Sequence, residues 1–177
     1  NTAEVNVSIN GKADTLGIGD YTTVNGERVR ILGFNHDELA DQTIYGGTNA
    51  YAGISFEYAK FFTTTARMNA SNTSANGWGA CELRSTLNNI TINSLENKEY
   101  IKQVNKQYIK TYNNAASVTT SQDKLWLLSC SEIFSIGGVP AGYGGAVTKE
   151  GEQYKYYKNL NATTSKEDAR LEKKINR

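Results

Sequence analysis

The residues of this chain that could do acid–base or metal chemistry do not form a recognised site. His36 is the single histidine of the 177 residues, and it lies in a polar run, NHDELADQ, at positions 35–42. A histidine metal centre or a nucleophilic triad needs further partners at a defined spacing, and no second histidine can supply one. We therefore predict that His36 lies in a solvated turn and binds no metal.

Two cysteines and two isolated carboxylates add no clearer signal. Cys81 and Cys130 are 49 residues apart, which fits neither a Cys-x-x-Cys redox pair nor a metal site. We predict two small buried side chains; a disulfide stays open, because the sequence does not give the distance between the two Cα atoms. Glu82 and Glu132 have no evident partner in the sequence.

The glycine-rich run Gly137–Gly145, GGVPAGYGG, invites comparison with a phosphate-binding loop. It lacks both the Gly-x-Gly-x-x-Gly pattern and a Gly-Lys-Ser/Thr ending, so we predict a surface loop. No Gly-x-Ser-x-Gly nucleophile elbow occurs either. The sequence therefore predicts no catalytic residue, no metal and no cofactor, and we expect that the protein is not an enzyme.

Tyrosines near glycine-rich loops are the best candidates for ligand contact. Tyrosine together with glycine, serine and asparagine is the composition of adaptable binding surfaces. An alternative stays open, in which some of these rings pack on a sheet. The candidate ligand-binding residues are Tyr143, Tyr154, Tyr156 and Tyr157.

Composition and charge limit the class of protein. A formal net charge of +1 gives no large excess of basic residues for binding nucleic acid. The sequence contains no run of about 18 apolar residues, so it predicts no insertion into a membrane. The length is typical of one domain, so we predict a single domain over residues 1–177. With 16 glycines, 11 tyrosines and one proline, the chain has the loop-rich composition that we expect of an extracellular or virion surface domain.

Two apolar blocks are expected to form the core that positions the candidate functional residues. After Gly77-Trp78-Gly79, the spacing of Leu83 and Leu87 predicts a short amphipathic helix over 79–89. The run DKLWLLS at 123–129 holds four consecutive large apolar residues and predicts a central strand covered on both faces. We predict that both tryptophans are buried and that the helix packs on this strand. The predicted core residues are Trp78, Leu83, Leu87, Leu125, Trp126 and Leu128.

The remaining patterns predict an α+β fold of short helices on mixed or antiparallel sheets with long loops. Asn25-Gly26 between two strand-like runs predicts a β-hairpin, and further strands are predicted over 4–9 and 153–160. The apolar spacing near 103–112 also suits a helix, but the tyrosine and isoleucine content favours a strand there. Ser129 or Ser131 can cap one helical turn. Acidic residues followed by basic ones predict a last helix over 165–175.

Six blocks of the sequence resemble, in order, a bacterial and prophage domain family of unknown function that occurs in cell-surface and phage-tail-like proteins. The resemblance covers about residues 17–160, and its most specific parts are the block around Trp78 and DKLWLLS. The blocks are GERVRILGFNHDELAD, GISFEYAKFF with ARMNAS, NGWGACELRSTLNN, IKQVNKQY, DKLWLLSCSEIF and EGEQYKYYKNLN.

This resemblance implies a C-type-lectin-like fold and a non-enzymatic recognition or adhesion module. Such a module would belong to a bacterial cell surface or a phage tail and would bind a surface protein or a glycan outside the cell. A structural spacer of a fibre is the alternative. Enzymes of the formylglycine-generating type share that fold, but they use paired active-site cysteines, which Cys81 and Cys130 do not resemble.

The resemblance also implies a missing part. Family members continue with a Trp-Trp-Leu-Arg-Ser-Pro stretch, whereas this chain stops at Arg177. We therefore expect a second chain or a further segment to complete the sheet beside DKLWLLS, because an apolar strand edge invites pairing. Closure by the chain's own 153–160 strand and 165–175 helix is the alternative.

Overall fold

The computed structural model describes residues 5–9, 12–43, 50–60, 66–73, 75–110, 117–135 and 148–162. These residues contain antiparallel sheets and short helices, so the α+β class is confirmed, whereas a C-type-lectin-like arrangement is not shown. The strands are β1 (Val5–Ile9), β2 (Lys12–Leu16), β3 (Tyr21–Val24), β4 (Glu27–Phe34), β5 (Ile54–Tyr58), β6 (Val104–Ile109) and β7 (Val118–Asp123). The α-helices are α1 (Glu82–Asn89), α2 (Cys130–Ile133) and α3 (Lys155–Asn159).

Local turn chemistry sets the strand pairing. Asn25 and Gly26 join β3 to β4 with φ angles of 51° and 72°, which is the left-handed geometry that a two-residue hairpin turn requires. The predicted hairpin is therefore confirmed. β5 pairs with the other edge of β4, β1 pairs with β2, and β6 pairs with β7. The strands predicted at 4–9 and 103–112 are β1 and β6, each with narrower bounds.

β4 contains the longest run of buried residues among the strands whose burial is described. Its residues 29–33 are all buried, so both of its faces are covered. Leu32 packs in a cluster with Tyr154, Tyr156, Tyr157 and Ala162, and Trp126 and Leu128 contact this cluster. Because arginines occupy positions 28 and 30, the sequence pattern does not indicate that this strand is buried on both faces. Arg30 is buried because the Glu57 carboxylate lies 3.5 Å from its guanidinium and the Tyr156 hydroxyl accepts its hydrogen bond.

The prediction of a central strand at DKLWLLS is wrong. β7 ends at Asp123, and residues 124–129 form no strand. The side chain of Asn88 takes the place of a neighbouring strand: Oδ1 accepts the N–H groups of Lys124 and Leu125 at 2.7 and 3.1 Å, and Nδ2 donates to Leu125 O at 2.8 Å. The apolar run is therefore a half-buried connection, and Leu127 is 50% exposed.

The prediction that both tryptophans are buried is also wrong, since each is half-buried. The predicted helix is confirmed but begins at Glu82, after a 3₁₀ turn over Trp78–Ala80. Its hydrogen bonds to the 124–129 connection come from a polar side chain, Asn88. The other predicted core residues are likewise half-buried: Leu83, Leu87, Leu125 and Leu128.

The predicted strand at 153–160 is the helix α3 instead. Tyr156 and Tyr157 are adjacent and both buried, which a strand with one covered face does not allow, whereas Lys155 and Lys158 are exposed. α3 belongs to the cluster that contacts Trp126 and Leu128, so the chain itself covers part of DKLWLLS. Cover by a second chain stays a prediction. The predicted helix at 165–175 and the loop Gly137–Gly145 lie outside the described residues.

Candidate functional site

Two glycines place Trp78 beside β6. A Cβ atom added at Gly77 would overlap the carbonyl oxygen of Ile109, and one added at Gly79 would overlap the hydroxyl of Tyr108. Gly77 also has a φ of 62°, a conformation that residues with a Cβ rarely adopt. The Gly-Trp-Gly sequence therefore lets the 3₁₀ turn lie directly on the strand.

A buried carboxylate then fixes the indole of Trp78. Asp123 is fully buried, and its Oδ2 accepts hydrogen bonds from Trp78 Nε1 at 2.9 Å and from Ser121 Oγ at 2.6 Å. Its Oδ1 accepts from Arg84 Nε at 2.7 Å. Arg84 extends from α1, so one carboxylate connects the 3₁₀ turn, the helix and β7. The orientation of Trp78 is set before any ligand arrives.

A cleft of about 500 Å³ opens beside this anchored tryptophan. Its apolar lining includes both tryptophans of the chain together with Met68 and Leu127, which are 45% and 50% exposed. Its polar lining includes Asn72 and Gln107, which are exposed. The interior lining includes two charged residues that solvent hardly reaches, Lys106 and Glu132.

Lys106 is the centre of a buried ion cluster, which we define as Asp37, Lys106 and Glu132. Lys106 Nζ lies 2.7 Å from Asp37 Oδ1 and also pairs with Glu132 Oε1. The three side chains are at most 8% exposed. The ammonium group lies 4.5 Å from the ring centroid of Trp126, close enough for a cation–π contact. One lysine thus forms an ion pair with each of the two carboxyl groups.

Hydroxyl groups surround the Asp37 carboxylate. The Tyr154 hydroxyl lies 2.9 and 2.8 Å from the two carboxylate oxygens, and Ser55 Oγ donates to Oδ2. Burial opposes ionisation of Asp37, but the charge of Lys106 and the hydrogen bonds from Lys106, Ser55 and Tyr154 outweigh it and lower the pKa of Asp37. Asp37 is therefore the ionised carboxylate of the cluster.

Glu132 differs from Asp37, although the same lysine contacts it. Burial raises the pKa of Glu132 more than Lys106 and the Ser129 N–H lower it. The Ser129 N–H donates to Oε2 at 2.8 Å, while Ser129 Oγ accepts the Glu132 N–H at 3.2 Å. This capping box confirms the predicted cap at Ser129 and starts α2. Of the two carboxyl groups, Glu132 is the one that burial makes easier to protonate.

His36 does not lie in a fully solvated turn, and that prediction is wrong. The imidazole packs against Tyr154, with ring centroids 4.1 Å apart. Burial lowers the pKa of His36, although the negative charge of Asp37 opposes this effect. In the part of the chain that the structure describes, no three His, Cys, Asp or Glu side chains are grouped to hold a metal ion.

This burial predicts a loss of stability in mild acid. Because the folded state holds the His36 proton less readily than the unfolded chain, stability should be full above about pH 6.5 and fall as the pH drops through the lowered pKa. NMR titration of the single imidazole should give a midpoint below that of a free histidine. Urea unfolding of His36→Gln should show a flatter pH dependence over the same range. A normal imidazole midpoint would contradict the packed ring.

The tyrosines predicted to contact a ligand lie mostly in the interior. Tyr154, Tyr156 and Tyr157 are at most 7% exposed, as in the packing alternative. Tyr157 donates to Glu57 Oε2 at 2.8 Å, and the Tyr156 ring lies 4.5 Å from the guanidinium of Arg30. These contacts tie α3 to β4 and β5. The fourth candidate, Tyr143, lies outside the described residues.

The cysteines are free thiols and form no disulfide. Cys81 is buried as predicted, and its Sγ lies 3.0 Å from Met68 O. Cys130 is only half-buried, and burial raises the pKa of its thiol with a smaller contribution from Glu150. A raised pKa disfavours the thiolate, which is the reactive form of cysteine.

The sequence pattern missed the ion cluster because its members are far apart in the chain. Positions 37, 106 and 132 lie on a loop, a strand and a helix, and only folding brings them together. One signal was present: in VNKQYI, Lys106 shares a strand face with Val104 and Tyr108. A lysine on an otherwise apolar strand face indicates a buried cation that needs partners.

Comparison with known proteins gives a family but no activity. Residues 52–176 match the family described as Domain of unknown function (DUF6273). The match spans more than half of the chain, so the protein belongs to this family, and the expected membership of a family of unknown function is confirmed. No curated protein and no solved structure matches the chain. No helix in the described ranges is long and apolar enough to cross a membrane.

Proposed function

We propose that this domain is a non-enzymatic recognition module of a bacterial cell-surface or phage-tail-like protein, and that it binds its ligand in the cleft beside Trp78. The surface-protein context comes from the sequence resemblance. The observation that carries the proposal is the cleft itself, in which two half-buried tryptophans stand beside exposed apolar and amide side chains.

This lining suits a ligand with both apolar and hydroxyl-rich surface, such as a saccharide. Tryptophan rings offer flat apolar faces for C–H groups, and the amides of Asn72 and Gln107 can donate and accept hydrogen bonds. Trp78 is held by Asp123, and the connection that carries Trp126 is held by Asn88. A site whose walls are held in place loses little conformational freedom when a ligand binds.

The charged groups of the cleft support binding rather than catalysis. Both oxygens of Glu132 are engaged, one with Lys106 and one with the Ser129 N–H. Glu150 accepts the Ile109 N–H at 3.0 Å. A general acid or base must reach the proton of a bound substrate, whereas the hydrogen-bond partners of these carboxylates are groups of the chain itself.

An exposed leucine gives a direct test with a matched control. Leu127→Glu places a charge in the cleft and should weaken binding to bacterial cells or to positive spots on a glycan array by about tenfold or more, equivalent to about 1.4 kcal/mol. Ile90→Glu makes the same change at a residue that is 68% exposed and is not among the residues that line the cleft. The control should bind like the unmodified protein.

The outcomes separate the proposal from its alternative. Equal loss of binding in both variants would show that the ligand site is not this cleft. Persistent absence of binding to cells, glycans and surface proteins would favour a structural spacer. Turnover of a bound glycan by the purified domain would contradict a non-enzymatic role.

A further inference from the structure

We propose that Lys106 and Asp37 condense to an intramolecular amide bond, with Glu132 as the catalytic acid and base. The bond would join Lys106 Nζ to Asp37 Cγ and release one water. This modification is independent of what the cleft binds, because it concerns only side chains within the chain.

The first support is proximity under constraint. Lys106 Nζ lies 2.7 Å from Asp37 Oδ1. Backbone hydrogen bonds to neighbouring segments hold both residues in place. β6 pairs with β7 along its whole length, and the loop that carries Asp37 bonds to β6 through Asn105 N and Glu38 O at 2.8 Å. Two groups held in such contact react as if at very high concentration.

The second support is burial. The cluster holds one ammonium group and two carboxylates in a site that is at most 8% exposed. Removal of ions from water is costly, and an amide would hold the two residues in the interior without that cost. An amine and a carboxylic acid are the forms that condense, and an amide leaves no charge at either residue.

Proton balance assigns the roles. The Lys106 ammonium gives one proton to the Asp37 carboxylate, and the resulting amine attacks Cγ, so that the C–N bond forms and the carbonyl pair moves onto oxygen. Glu132 Oε1 contacts Lys106 Nζ, so this residue takes one proton from the nitrogen and gives its own to the departing hydroxyl. Water leaves as the C–O bond breaks, and Glu132 ends in its starting form.

The surroundings suit the intermediate. Tyr154 OH and Ser55 Oγ donate to the oxygens of Asp37, where negative charge develops during attack. Donors already aimed at developing charge lower the barrier. Lys106 and Glu132 line the cleft, which gives the released water a path out.

The mass of the folded protein tests the proposal. Intact-mass spectrometry of the purified chain should give a value one water below that of the sequence. Digestion should yield a branched peptide that joins residue 37 to residue 106, with no tryptic cleavage after Lys106. A full mass, or a water lost at any other pair of residues, would overturn the proposal without any variant.

Two variants define the chemistry. Glu132→Gln should fold and keep the full mass, because the proton donor is gone while the pair remains; a Glu132→Gln protein that still lacks one water would contradict the role of Glu132. Lys106→Arg should also keep the full mass, whereas Lys110→Arg, at an exposed lysine one residue beyond β6, should lose water like the unmodified chain. A cross-link from Lys106 to Glu132 would refute Asp37 as the partner.

Discussion

Lys106→Met should lower the free energy of unfolding by about 3–5 kcal/mol relative to a chain whose Lys106 and Asp37 are an uncondensed ion pair, because it removes one partner of that buried pair. Methionine fills much the same volume but supplies no charge. Asp37 and Glu132 would then be two buried carboxylates without their cation, and at least one must take up a proton to remain inside. Urea unfolding at neutral pH measures the change.

The control and the double variant make this result specific. Lys110→Met removes a lysine that is exposed, so it should change stability by no more than about 0.5 kcal/mol. Lys106→Met with Glu132→Gln should recover about 1–2 kcal/mol of the loss, because coupled neighbours are not additive. If Lys106→Met leaves the free energy of unfolding unchanged, the ion cluster does not stabilise this part of the fold.

Gly77→Ala should lower the free energy of unfolding by about 3 kcal/mol. The new Cβ would overlap the backbone carbonyl of Ile109, and strand backbone cannot move aside as a flexible side chain can. Residue 77 also has a φ of 62°, which disfavours alanine. Thermal and urea unfolding measure the loss.

Gly26→Ala separates the two causes. Gly26 has a similar φ of 72° but no atom within 4 Å of an added Cβ, so it tests backbone strain alone and should cost about 1 kcal/mol. The difference between the variants is the cost of the overlap with β6. Equal losses would refute close contact between the Gly-Trp-Gly turn and the strand.

Elements with their own local chemistry could be predicted from the sequence. Asn25-Gly26 fixes a hairpin turn within four residues, and Ser129 with Glu132 forms a capping box within one helical turn. β6 was predicted from the tyrosine and isoleucine content of the 103–112 segment. In each case the deciding interactions are close in sequence, so pattern and structure agree.

Elements decided by distant partners could not be predicted. DKLWLLS has the composition of a buried strand, but Asn88 supplies its hydrogen bonds from another element. The sequence pattern predicts Tyr154 and Tyr157 as strand residues near a binding surface. In the structure their hydroxyls donate hydrogen bonds to Asp37 and Glu57. The candidate site depends on the same kind of long-range pairing around Lys106, which no local pattern contains.

The binding cleft can be tested most directly through the tryptophans, because the chain has two and both line it. Titration with a polysaccharide fraction from bacterial cell walls, or with a glycan found on the array, should shift both indole N–H signals in NMR spectra and change tryptophan fluorescence saturably. The same titration of Leu127→Glu should show about tenfold weaker binding. Saturable binding that leaves both indole signals in place would contradict the proposed site.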